Sequence, residues 1–427
     1  MKKYFSFFLL FLIGGSLLMA QNRSHGKNGL NVFETPKETL TQSTSQFLTI
    51  GGSFTQSMQA LSHSNTADEK LVNGVNVNEL TRIVPGFNTA NANLDLNVRL
   101  DEGINLNMTL YLSSRHHNET WVKGGYIQFD KLPFLKCDLL ENFMQYATIK
   151  VGHMEINYGD AHFRRSDNGN SMYNPFIENY IMDGYATEIG GELDLHFKDF
   201  IGVASITNGE INGDISKVTP IEGATTGVHN PAFIGKLGWD KQLSEDLRVR
   251  LTGSGYYTAG SVSNTLYGGD RAGSHYFGVM ENVISTSSAF SGRFNPGFKD
   301  KVGSVMGNFF VKFHGLEWFT TYELSKGRSR TELVERNADQ IATDLVYRFG
   351  SNENFWVGGR YNTVTSQMVN SDDVTLERMA FSGGWFVTKN IMAKAEYVNQ
   401  DYKGFANTDI RNGGNFHGLV LEGVVSF

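Results

Sequence analysis

The chain has 427 residues, with 37 Lys and Arg against 44 Asp and Glu, a net charge of −7. That acidic balance argues against nucleic acid as a partner. The single cysteine, Cys137, excludes an intrachain disulfide and a Cys-based zinc cluster.

The first residues read as a targeting segment. Lys2 and Lys3 precede an apolar stretch from Tyr4 to Leu18 and then Met19-Ala20-Gln21. This is the pattern of a signal peptide over residues 1–20, cleaved after Ala20. Its apolar core is short for a membrane span of about 20 residues. No later segment has the apolar run of a spanning helix. A membrane chain without such helices must close into a barrel, because lipid cannot satisfy exposed backbone polar groups. Residues 21–45 are polar and aperiodic, and they read as a flexible periplasmic segment ahead of a barrel over 46–427.

The barrel reading rests on alternation. Leu94, Leu96, Val98 and Leu100 alternate with Asp95, Asn97 and Arg99. After Asp101-Glu102-Gly103, Ile104, Leu106, Met108, Leu110 and Leu112 alternate with polar residues. Period-2 alternation puts one face in an apolar medium and the other in water, and the tight turn makes a hairpin. A first strand is predicted over Gln46 to Met58, with Leu48, Ile50 and Phe54 on one face and Gly52 and Gln56 interrupting it. The pattern then recurs over 120–130, 147–157, 185–197, 200–207, 233–242, 247–258, 305–314, 316–325, 341–349, 355–363, 375–387, 391–400 and 416–427. This predicts an all-β, transmembrane antiparallel β-barrel of about sixteen strands. Seven prolines against 47 glycines suit it, since proline breaks ladder hydrogen bonds.

Connection lengths alternate as well. Short ones follow Leu100, Phe197, Gln242, His314, Phe349 and Val387, with the connection after Asp130 as an exception. Long ones include 59–86, 158–184, 209–231 and 259–301. Short periplasmic turns and long external loops are the outer-membrane pattern. Trp239, Trp318, Phe349, Phe355 and Trp385 flank the short turns, while Tyr257, Tyr322, Tyr361 and Tyr397 lie toward the long loops. Two belts of amphipathic rings fit the two interfaces of a bilayer. The last strand alternates to a terminal aromatic, Phe427, which resembles the strand end read by barrel assembly machinery.

Gly125-Tyr126-Ile127-Gln128-Phe129-Asp130, Thr148-Ile149-Lys150-Val151-Gly152-His153-Met154-Glu155, Tyr158-Gly159-Asp160 and Val203-Ala204-Ser205-Ile206-Thr207-Asn208-Gly209 resemble segments of the phosphate-selective porin family. The architecture covers most of the chain, the local motifs about its second quarter. The resemblance implies a porin whose third external loop folds into the lumen, and a homotrimer as its assembly. The basic ladder of anion-selective members is not matched. The inward phase mixes Arg99, Lys150, Lys236, Arg248, Arg250, Lys312, Arg348, Arg360, Arg378 and Lys394 with Asp95, Glu188, Glu192, Asp194, Asp240, Glu323, Asp344, Glu396 and Glu422. Phosphate specificity is therefore not carried over.

The third external loop is the main candidate site. It holds Asp160, His162, Arg164, Arg165 and Asp167, and folded inward it would narrow the pore. Arg164 and Arg165 would then face acidic residues and set a transverse field; the bland alternative is a solvated loop with internal salt bridges. Arg99, Lys150, Glu188, Glu192, Arg248, Arg250, Arg348 and Arg360 are the pore-lining candidates. A lipid-facing charge near the midplane costs roughly 2–4 kcal/mol, which turns Arg248 and Arg250 inward. For each of them, a salt bridge to a lumen carboxylate such as Glu188 or Glu192 is the plainer reading.

His116-His117 reads as a loop pair rather than a metal site. Asp167-Asn168-Gly169-Asn170 and Asp372-Asp373 lack the spacing of a calcium loop. No metal or cofactor is called for, and no catalytic motif is present. The expected function is passive diffusion of small hydrophilic solutes or ions across an outer membrane, through a water-filled barrel surrounded by lipid. Two other classes stay open: a barrel component of a transport or secretion system, and an outer-membrane hydrolase with Ser, His and a carboxylate drawn from separate strands.

Overall fold

A computed structural model describes residues 23–34, 47–112, 120–211, 229–269, 273–284, 291–369 and 372–427. Sixteen long strands run in chain order: β1 Leu48–Ser64, β2 Asn91–Asp101, β3 Ile104–Leu112, β4 Thr120–Phe129, β5 Ala147–Glu155, β6 Thr187–Phe197, β7 Phe200–Thr207 and β8 Ala232–Gln242. They continue as β9 Leu247–Thr258, β10 Lys301–Phe313, β11 Leu316–Arg328, β12 Arg336–Phe349, β13 Phe355–Gln367, β14 Asp373–Phe386, β15 Ile391–Lys403 and β16 Asn415–Ser426. Each pairs antiparallel with its neighbours in sequence. β1 closes the cylinder, pairing through Leu48–Thr55 with β2 and through Ser53–Ser64 with β16. No helix among the described residues is long and apolar enough to cross a membrane.

The alternation read from sequence is the alternation of the wall. In β11, Leu316, Trp318, Tyr322 and Leu324 point outward while Glu317, Phe319, Thr321 and Glu323 are buried inside. The outer face is apolar, with Leu251, Val305, Leu345 and Leu421 each more than half exposed. Glycine stands at a tight position of the seam. Gly52 exchanges backbone hydrogen bonds with Phe427 at 2.8 and 2.9 Å. A Cβ there would sit 3.0 Å from the Asn93 carbonyl oxygen and 3.1 Å from the Phe427 ring. The glycine that interrupts the first strand's pattern thus sits at a close-packed point of the seam.

Several strands rise beyond their predicted ends at the long-loop rim. β1 runs on to Ser64, β11 to Arg328 and β15 to Lys403. There Leu61 of β1 and Tyr402 of β15 are buried in an apolar cluster with residues of the inserted loops, and ladder pairing persists after the regular hydrophobic alternation has faded. The exceptional connection after Asp130 holds a seven-residue helix, α1 Asp138–Met144, at the short-turn rim. Aromatic rings mark that rim. Tyr347, Phe349, Phe355 and Trp385 stack in series, with centroids 6.1, 5.8 and 5.9 Å apart.

Residues 23–34 do not lie outside the barrel as a lead-in. They enter its short-turn mouth and include a 3-10 turn, Gly26–Gly29, with Phe33 buried. The sequence reading missed this because the segment is too short and too polar to show a period. Its anchors are side chains matched to the wall, and local pattern does not reveal them.

Candidate functional site

The third long connection, residues 156–186, crosses the lumen. Near its start, the Asp160 carboxylate accepts from Arg250 through both oxygens at 2.8 Å, from Thr252 at 2.8 Å and from Lys236 at 3.1 Å. Further on it reaches the opposite wall. Asn93 Nδ2 donates to the Asp167 carbonyl oxygen at 3.0 Å, and Thr55 Oγ1 to that of Gly169 at 2.5 Å. A Cβ at Gly169 would lie 2.7 Å from Ala92 Cα and from the Ser53 carbonyl oxygen, so only glycine permits this approach. The loop then returns along β12–β15. Lys394 Nζ donates to the carbonyl oxygens of Ser171, Asn174 and Phe176, Arg360 to that of Glu178, and Arg378 to that of Asn179. Wall cations thus satisfy a backbone that makes no regular ladder of its own.

The fifth long connection covers this loop. Arg293 pairs with Glu178 at 3.1 Å, and His275 Nδ1 lies 2.6 Å from Glu422 Oε1. Burial alone would raise the Glu178 carboxyl, but Arg293, His275 and the Ser274 hydroxyl outweigh it and hold it at about 2. Apolar side chains fill the space between. Met172, Tyr173 and Phe176 pack with Val346, Trp356, Ala380 and Phe386 of the wall.

The segment 23–34 closes the same half from the short-turn side. Glu34 pairs with Lys236 at 3.0 Å and with Arg250 at 2.7 Å. Asn31 Nδ2 donates to Glu317 at 2.5 Å, and Asn31 accepts from Arg164. Phe33 packs with Phe163 and Phe310, with ring centroids 5.9 and 5.4 Å away. Burial would raise the Glu34 carboxyl, but Lys236 and Arg250 pull it down to about 2; the same two cations hold Asp160 well below the usual carboxylate range against its own burial.

The space left is eccentric. A cavity of about 300 Å³ runs between the inner face of β2–β6 and the inserted segments. Its lining holds the carboxylates of Glu34, Asp95, Asp130, Glu155, Asp167, Glu192 and Asp194 against Arg23, Lys123, Lys150 and Arg165. Lys150 stands between Glu192 at 2.9 Å and Asp194 at 2.7 Å.

The expected site residues divide accordingly. His162, Arg165 and Asp167 line the cavity, whereas Asp160 and Arg164 are buried against the wall. The two arginines are not free to set a field. Arg164 lies 3.5 Å from Glu317, and Arg165 lies 2.6 Å from Asp183 and 3.1 Å from Asp167. His162 pairs with Glu155. Of the pore-lining candidates, Lys150 and Glu192 line the cavity. Arg99 is half-buried toward the short-turn end of β2. Glu188 is buried under Thr207 and Tyr256. Arg250, Arg348 and Arg360 face inward but are buried beneath the insertions, with Arg348 paired to Glu317 at 2.8 Å and Arg360 to Asp344 at 2.7 Å. Arg248 is partly exposed and grips Asp240 at 2.8 and 2.6 Å. The partners of Arg248 and Arg250 are thus Asp240, Asp160 and Glu34 rather than Glu188 or Glu192: Asp240 comes from the adjacent strand β8, while the loop and the N-terminal segment bring Asp160 and Glu34 to Arg250. The expected wide water-filled lumen is corrected in the same way: the β8–β16 half is occupied. His116-His117 lies outside the described residues.

Sequence reasoning missed Phe33, Glu34 and the fifth connection. One signal was available. A water-filled lumen has no use for inward aromatics, yet Phe310, Phe319, Trp356, Phe386 and Phe416 all fall in the lumen phase and are buried.

No family model matches the chain, and no curated protein matches it in sequence. Solved structures do. An anion-selective porin from Comamonas acidovorans superposes with a TM-score of 0.52 at 9% identity, covering 89% of this chain and 99% of that one. OmpT, an outer membrane protein of Vibrio cholerae in its trimer form, gives 0.50 at 11% identity over 89% and 99%. The outer membrane channel DcaP of Acinetobacter baumannii gives 0.48 at 11% identity over 89% and 97%. At such identities the likeness to the first two shows a shared fold, the closed antiparallel β-barrel that the strand pairing describes.

Proposed function

We propose that this chain is an outer-membrane channel for passive diffusion of small hydrophilic solutes or ions. The observation that carries the reading is the polar cavity beside β2–β6, enclosed within a closed cylinder whose outer face is apolar and rimmed by aromatic rings. Charges inside a low-dielectric wall act at short range on whatever passes. Carboxylates outnumber permanent cations in that lining, so the passage favours cations over anions. This departs from the phosphate preference of the family that the motifs resemble.

The same reading puts the short turns at the periplasm, residues 1–20 as the export signal, and lipid around the apolar belt. Assembly as a homotrimer fits the barrel class, and OmpT of Vibrio cholerae has a trimer form. Purified protein in planar bilayers tests the proposal, with and without residues 23–34. Stepwise conductance and a cation-positive reversal potential in a potassium chloride gradient are expected. Silence from both preparations would falsify the channel reading, and an anion-selective reversal potential would refute the charge assignment.

A further inference from the structure

We propose that residues 23–34 are a resident plug, a movable wall of the passage seated in the short-turn mouth and anchored by Phe33 and Glu34. The proposal rests on the channel reading and adds a regulated element to it. Arg23, His25 and Glu34 form part of the cavity lining, so withdrawal of the segment widens the passage on one side.

The segment is built to separate without breaking the barrel. It belongs to no strand pairing. Its backbone meets the wall through Lys27 N donating to the Lys389 carbonyl oxygen at 2.8 Å, and its other described anchors involve side chains. Arg23 lies over the Tyr173 ring at 3.4 Å, Tyr173 OH donates to the Ser24 carbonyl oxygen at 2.8 Å, and Lys27 Nζ reaches Asn354 at 2.7 Å. Removing all of them leaves every strand-to-strand ladder intact.

The seat favours occupancy at rest. Phe33 is buried beside Phe310, Phe319 and Ala342, an apolar pocket in a mostly charged mouth. Glu34 completes a balanced cluster in which Lys236, Arg248 and Arg250 meet Glu34, Asp160 and Asp240. When Glu34 leaves, three cations face two carboxylates in a buried site, and uncompensated buried charge is costly. Beside the anchors at Arg23, Ser24, Lys27 and Asn31, the plug thus has one apolar and one electrostatic contact at adjacent positions, each removable by a single substitution.

The test compares wild type, a variant lacking residues 23–34, and Glu34→Gln in planar bilayers. Folding of each is checked by heat-modifiable migration in detergent. The deletion is expected to conduct severalfold more than wild type, and Glu34→Gln to flicker between the two levels. Trypsin is expected to cleave after Lys27 faster in Glu34→Gln than in wild type, a readout that needs no conductance and carries the test should the deletion fail to fold. Equal conductance of wild type and deletion, or equal cleavage of wild type and Glu34→Gln, overturns the plug while leaving the channel standing. Silence of all three variants overturns the channel reading and the plug with it.

Discussion

Arg250 holds Asp160 by both carboxylate oxygens, Nε to Oδ2 and Nη2 to Oδ1, each at 2.8 Å. A strand residue thereby fixes the entry of the inserted loop. Paired forks of this kind are geometrically specific as well as strong, and both side chains are essentially inaccessible to solvent. This contact ties down the start of the loop, and separate contacts at Gly169 and along β13–β15 hold the rest of its path.

Asp160→Asn removes one carboxylate from the cluster while leaving Lys236 and Arg250 buried. Breaking one partner of a buried pair costs about 3–5 kcal/mol. The expected outcome is a lowered thermal unfolding midpoint in detergent and a noisier conductance trace. An unchanged midpoint would show that the loop is held elsewhere.

The seat of residues 23–34 has an acid limit. Glu34 sits at about 2, below its free value of 4.5, against its own burial and because of Lys236 and Arg250. A depressed carboxyl contributes stability that is complete above the free value and is lost as pH falls through the folded one. Asp160, depressed by the same cations, acts in the same direction. A nitroxide on Asn28→Cys, with Cys137→Ser, should report an unchanged, immobilised segment from about pH 8 to about pH 5. It should loosen as pH falls from 4.5 toward 2. Loosening near neutrality would contradict the assignment.

Lys150 is shared by two carboxylates on the cavity wall, Glu192 and Asp194. Lys150→Gln leaves both uncompensated. The reversal potential in a salt gradient should move further toward cations, with the unitary conductance changed far less. A shift toward anions would place the passage elsewhere.

Leu251 is 57% exposed on the outer face of β9. Leu251→Arg puts a charge at the height of the apolar belt, at a cost of roughly 2–4 kcal/mol in lipid. Folding into lipid vesicles, followed by gel migration over a urea series, should shift to lower urea than for Leu251→Ala. A surface facing water would tolerate the arginine, and equal midpoints for the two variants would remove the membrane from the account.

The sequence by itself determined the wall. Side chains alternate with a fixed period of two, so which residues face out, how many strands there are and where the short turns fall were all readable from Leu94–Leu112 to Phe416–Phe427. The bounds of β7 and β9 coincide with those expected. Rim extensions and the helix after Asp130 escaped, because backbone pairing outlives the apolar pattern there. The lumen was decided by tertiary structure alone. Arg250 has Asp240 beside it on the neighbouring strand at 3.2 Å, but its closest carboxylates are Asp160, 90 residues earlier, and Glu34, still further from it in the chain. Contacts of that kind obey charge balance and shape, which have no period along the chain, so the sequence assigns Arg250 a side of the wall and only the fold assigns it partners.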